Sequence, residues 1–129
     1  MLFRSEGIAC FASPTREKAL ATSSGFYGWM VCGEALYRVL DLHGYPLAEH
    51  PEHLLSQRRC FETFPHAITA QLHRALGLEP ALAARKRPQR QALLERFGLD
   101  CRELSSIDWI DAALCALAAQ LLQIGRAHV

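Results

Sequence analysis

The stretch Cys60-Phe61-Glu62-Thr63-Phe64-Pro65 decides how this chain is read. It is aromatic and β-compatible, and Pro65 ends it. The pattern predicts a strand over Gln57–Phe64. Side chains alternate along a strand, so Glu62 shares a face with Cys60 and Phe64. Pro65 then suits the first turn of a helix. Ala67, Ile68, Leu72, Ala75 and Leu76 give that helix one apolar face, and Gly77 stops it at Leu76. Strand followed by helix predicts an α/β fold.

Downstream, Glu79–Pro88 reads as a connector carrying the basic cluster Arg85-Lys86-Arg87. Gln89–Phe97 reads as a short helix closed by Gly98. Ser105–Gln123 reads as the last helix, with Ile107, Ile110, Leu114, Leu117 and Leu121 at alternating three- and four-residue steps. Upstream, Ser23 or Ser24 can cap a helix running to about His43, on Trp29, Cys32, Leu36, Val39 and Leu40. Gly25, Gly28 and Gly33 make its first turn irregular. Phe26, Tyr27 and Trp29 are placed in the core. Tyr45–Ser56 reads as loop, and Gly7–Ala12 as a short strand. One firm strand cannot make a sheet, and strands missing upstream would account for the deficit.

A chain of 129 residues predicts one domain, and with half of them hydrophobic it can build a core. The formal charge of +1 creates no global field toward nucleic acid or membrane. Five scattered cysteines without a CxxC pair fit a reducing cytoplasm. No stretch reads as a membrane span, and the start lacks a signal peptide. Leu2-Phe3-Arg4-Ser5 can be encoded by CTC-TTC-CGA-TCT. The tail Gln123-Ile124-Gly125-Arg126-Ala127-His128-Val129 can be encoded around its reverse complement, AGATCGGAAGAG. That is the pattern of one synthetic sequence read in from both sides. Residues 1–5 and 124–129 are therefore expected to be non-native ends, and 6–123 the domain.

Three carboxylates stand in apolar settings, where charge is costly unless compensated. Glu62 lies in the strand. Asp108 and Asp111 open the last helix, three residues apart and so on one face. Ser105-x-x-Asp108 also fits a capping box. Asp111 borders the apolar stripe, where a cap has no use for it. Converging carboxylates suit a hard cation, Mg²⁺ or Mn²⁺. Lys86 and Arg87, with Arg90, could hold a phosphate backbone. His50, His53, His66 and His73 lack partners at zinc spacing. His66 and His73 are expected on the exposed side of their helix.

The segment Phe61-Glu62-Thr63-Phe64-Pro65-His66-Ala67, followed far downstream by Ile110-Asp111-Ala112-Ala113-Leu114-Cys115-Ala116-Leu117-Ala118-Ala119, resembles the DUF429 family. Gly7-Ile8 before Phe11-x-x-Pro14, Gly28-Trp29-Met30 with Gly33-x-x-Leu36-Tyr37, and Arg90-x-x-Leu93-Leu94 extend the match. The resemblance implies a predicted nuclease with an RNase H-like mixed sheet flanked by helices, incomplete here at its amino terminus. It makes Glu62, Asp111 and Asp108 the catalytic and metal-binding acids, and nucleic acid the partner. The chain resembles the carboxyl-terminal part of such a protein and is expected to be inactive alone. The alternative is a non-catalytic binding or scaffold module.

Overall fold

The computed structural model describes residues 13–55 and 58–127. Five α-helices form there: α1 (Arg16–Ala21), α2 (Gly28–Leu42), α3 (Pro65–Leu76), α4 (Lys86–Arg96) and α5 (Ile107–Ala127). Single 3-10 turns occur at Pro51–Leu55 and Ala83–Arg85. Among the described residues the β pairing is one parallel bridge between Leu47 and Cys60, with no strand and no sheet. This overturns the expected α/β architecture, the RNase H-like mixed sheet flanked by helices.

The reason is that pairing stops at Cys60. Its N–H donates to the Pro46 carbonyl (3.1 Å), and its own carbonyl accepts from the Ala48 N–H (2.8 Å). No neighbouring chain continues that ladder toward Phe64 among the described residues. Phe64 does have an extended backbone, φ −127° and ψ 109°. Extended backbone becomes a strand only when a partner takes up its hydrogen bonds, so β-compatibility alone is not enough. The expected strand over Gly7–Ala12, and Ser56 and Gln57, lie outside the described residues.

The chain divides at Glu62 and Thr63 into two compact units. In the unit that begins at Thr63, α3, α4 and α5 pack against one another. Their core is Leu93, Leu94, Cys101, Ile110 and Leu114, with Ile68, Leu72, Leu76, Leu104 and Leu117 against it. α3 begins and ends as its sequence predicts. Pro65 opens it, and Gly77 takes the left-handed conformation (φ 66°) that closes it. α4 begins at Lys86 instead of Gln89, so Lys86 and Arg87 sit in a helix and not in a connector. Pro88 falls in its first turn, where a missing N–H leaves no bond unmade. α5 is capped by Ser106, whose hydroxyl accepts from the Trp109 N–H (3.2 Å). The capping box expected from Ser105 to Asp108 is thus replaced by a simple Ser106 cap, with Trp109 where a box would need an acid. α5 also runs on through residues 124–127, and Ile107–Gly125 is, by length and composition, long and apolar enough to cross a membrane, which corrects the expectation that no stretch is.

In the unit that ends at Glu62, α1 packs against α2. The sequence shows only weak periodicity where α1 forms. Its start is nonetheless clear in chemistry: Thr15 accepts from the Lys18 N–H (3.3 Å), and Glu17 lies in the first turn. Arg16 bonds Glu34 of α2 (3.0 Å), which also takes Arg38 (2.6 Å). α2 starts at Gly28, after a turn in which Gly25 adopts φ 66°. None of the described residues of this unit is buried. Phe26 and Trp29, expected in the core, are 68% and 69% exposed.

Candidate functional site

The acids that open α5 stand on the unit with the core. Ile110 and Leu114 face inward and are fully buried, which fixes the rotation of the helix. Asp108, the second helical residue, is exposed in the first turn, where the helix dipole favours its charge. Asp111 is half-buried. Its Oδ1 accepts from Arg90 Nη1 at 2.6 Å, and the Arg90 side chain is only 7% exposed.

Arg90 answers the question that made Asp111 conspicuous. It sits on α4 three residues before Leu93 and so shares the inward face of that helix. A charge there needs a counter-ion, and Asp111 supplies it. The two side chains neutralise one another without a metal. Yet the pair is a single bond. A guanidinium usually grips a carboxylate with two parallel bonds. Here Arg90 Nε is buried without an acceptor, and Asp111 Oδ2 accepts no bond among the described residues. The pair is therefore held through one of the two carboxylate oxygens.

Near this pair, Arg87 Nη2 donates to the Ser105 carbonyl (2.8 Å) and fastens the turn before α5 to α4. Lys86 is exposed at the start of α4. Thr63 Oγ1 donates to Cys115 Sγ on α5 at 2.9 Å. His73 departs from its expected exposed position. It is buried, and its Nδ1 donates to the Glu79 carbonyl (2.6 Å), closing the connector behind α3. Gln89, also buried, accepts from the Leu82 N–H and donates to the Pro80 carbonyl. The Glu79 carboxyl is held below the usual range, first by its own backbone N–H, then by Gln89 and the charges of His73 and Arg85.

Glu62 belongs to the other unit. It is exposed and lines an open cleft of about 850 Å³ with Trp29, Tyr37, Arg38 and Asp41. Burial pushes the Tyr37 hydroxyl up. The Glu62 carboxylate and Cys60 push it further, and a hydrogen bond joins Tyr37 to Glu62. Glu34, on the cleft wall, is pulled below the usual carboxylate range, first by its hydrogen bond to Arg16 and also by Arg38. Much of the charge lining the cleft is thus paired internally.

Asp108 and Asp111 are brought to one end of one helix. Among the described residues, no three His, Cys, Asp or Glu side chains gather as a metal-sized group. Asp108 and Asp111 fall short of such a group, and Asp111 is already paired with Arg90. Arg90 was visible in the sequence only as part of a basic run. Its signal was its place one helical step before Leu93 and Leu94, where an arginine faces the core.

These features describe a helical protein in which a buried arginine, Arg90, holds one acid, Asp111, of its last helix. The family model described as "Protein of unknown function (DUF429)" matches residues 1–129. The chain belongs to the DUF429 family. No curated protein matches it, and no solved structure does.

Proposed function

We propose that the chain contributes to a metal-dependent, nuclease-like activity on phosphodiesters of nucleic acid in the cytoplasm and is inactive alone. Asp111 and Asp108 would hold Mg²⁺ or Mn²⁺ through oxygen. The observation that carries this reading is the divided role of Asp111: Oδ1 is fixed by Arg90 and Oδ2 is open. A carboxylate anchored on a packed helix presents its free oxygen in one direction, which is what a ligand needs. A bound metal would activate water and stabilise the leaving oxygen. Lys86, exposed at the start of α4, is the proposed phosphate contact, and Arg87 is already engaged with Ser105.

The test is Mn²⁺ binding by the full chain, compared with Asp111→Asn and Glu62→Gln. Loss of binding in Asp111→Asn is the expected result. Unchanged titration curves in both variants would refute the site. A second reading, a non-catalytic binding or scaffold module, is favoured by the Arg90–Asp111 pair itself, which already compensates the buried charge. In that case Asp111→Asn alters stability and leaves metal binding as it was.

A further inference from the structure

We infer that α2 pairs antiparallel with α2 of a second copy of this chain, through a stripe of Trp29, Cys32, Ala35, Leu36, Val39 and Leu42. The inference is independent of the acids on α5. All six residues are exposed, and none is charged. They follow one another at steps of three, three, one, three and three, which keeps them on one side of the helix. The three charged residues of α2, Glu34, Arg38 and Asp41, line the cleft on the other side, and Trp29 stands at the border between the two. α2 thus turns its charges toward the cleft of its own unit and its apolar side outward. A helix on the surface of a monomer does the reverse.

The stripe fits itself. A twofold interface must be self-complementary, and this series has the same spacing read from either end. With the axis between Ala35 and Leu36, Leu36 lies across from Ala35 of the second copy, Val39 across from Cys32, and Leu42 across from Trp29. At the first two places a larger side chain faces a smaller one, as close packing needs. Antiparallel pairing also sets the amino end of each helix, which has no side-chain cap, beside the carboxyl end of the other, where the partial charge is opposite. At their exposures of 69%, 57%, 50% and 84%, Trp29, Leu36, Val39 and Leu42 leave roughly 500 Å² open on each copy, a patch of the size that marks interaction sites. Two copies would bury roughly 1,000 Å² together, the lower bound of a specific interface. Pairing of that size is weak, so the dilute chain is a monomer with Leu36 and Cys32 open.

The experiment is analytical ultracentrifugation of the full chain, under reducing conditions, from about 1 μM to about 300 μM, the range in which a weak interface forms and dissociates. The native chain should pass from monomer to dimer as concentration rises. Leu36→Glu places a charge at the centre of the stripe on both copies and should weaken pairing about a hundredfold. Asp41→Asn, on the cleft side of the same helix, should dimerise as the native chain does. Circular dichroism establishes that each variant retains its helices. Orientation is read by mild oxidation with diamide and mass mapping of the joined peptides. In Val39→Cys, the new thiol should join Cys32 of the second copy. Cys32 should not join Cys32, since in the antiparallel pair the two stand seven residues apart along the helix, about 10 Å and beyond disulfide reach. If Leu36→Glu loses its helices, the concentration series of the native chain and the cross-link decide. A native chain that stays monomeric throughout, or a dimer that a helical Leu36→Glu chain still forms, overturns the inference. A Cys32 to Cys32 link without the one at position 39 overturns the antiparallel arrangement.

Discussion

The helices beyond Thr63 and those before it make opposite use of similar material. α2 carries an apolar series at helical spacing, yet Trp29, Leu36, Val39 and Leu42 are all exposed. α4 is mostly polar, yet its Leu93 and Leu94 are each 1% exposed. What separates them is neighbours. α4 has α3 and α5 on either side of its two leucines, whereas α2 has only the six-residue α1 within its own unit. Amphipathic spacing makes a helix possible, but burial by other elements is what stabilises it.

That contrast is most easily broken by truncating one leucine in each unit. Leu94→Ala should lower stability in urea unfolding by about 3 kcal/mol, the cost of removing a large core side chain. Leu36→Ala, at a site 57% exposed, should change it by less than about 0.5 kcal/mol. Equal effects would mean that α2 is buried after all. A smaller effect is expected at the ion pair. Asp111→Ala leaves the buried Arg90 guanidinium without its partner and should cost about 2 kcal/mol. The half-exposed position of Asp111 keeps this below the cost of breaking a fully buried pair.

Much of the better-packed unit is legible in the sequence, because local chemistry decides its elements. Pro65 and Gly77 fix both ends of α3 through backbone geometry alone. The apolar steps from Ile107 to Leu121 define α5 within a few residues. Residues 60–64 mislead because a strand is a relationship between two segments, and a single segment shows only half of it. α1 escapes notice because six residues carry too little periodicity, although Thr15 followed by Glu17 is a usable start signal. At the site, Asp111 stands out correctly as a carboxylate in need of compensation. Its partner is hidden because Arg90 meets it only after α4 and α5 pack, 21 residues apart in the chain.

Two finer measurements sharpen the same comparison. Ser106→Ala should cost about 1 kcal/mol, as loss of a helix cap does. Ser105→Ala should cost close to nothing, since its carbonyl and not its hydroxyl is used. The smallest perturbation is chemical labelling. Burial, then the charges of Glu95 and Asp100, push the Cys101 thiol up, and the reactive species is the thiolate. Cys32 is exposed on α2 and should react with a thiol reagent at neutral pH before Cys101 does. Cys101 should react only as the core opens.

The amide nuclear magnetic resonance spectrum of the full chain, titrated with substoichiometric Mn²⁺ in the presence of oligonucleotide, locates the ion residue by residue. Broadening that begins at Asp108 and Asp111 and reaches Arg90 on α4 is the expected outcome. Broadening centred on the cleft around Tyr37 with α5 untouched, or none at all, would contradict it.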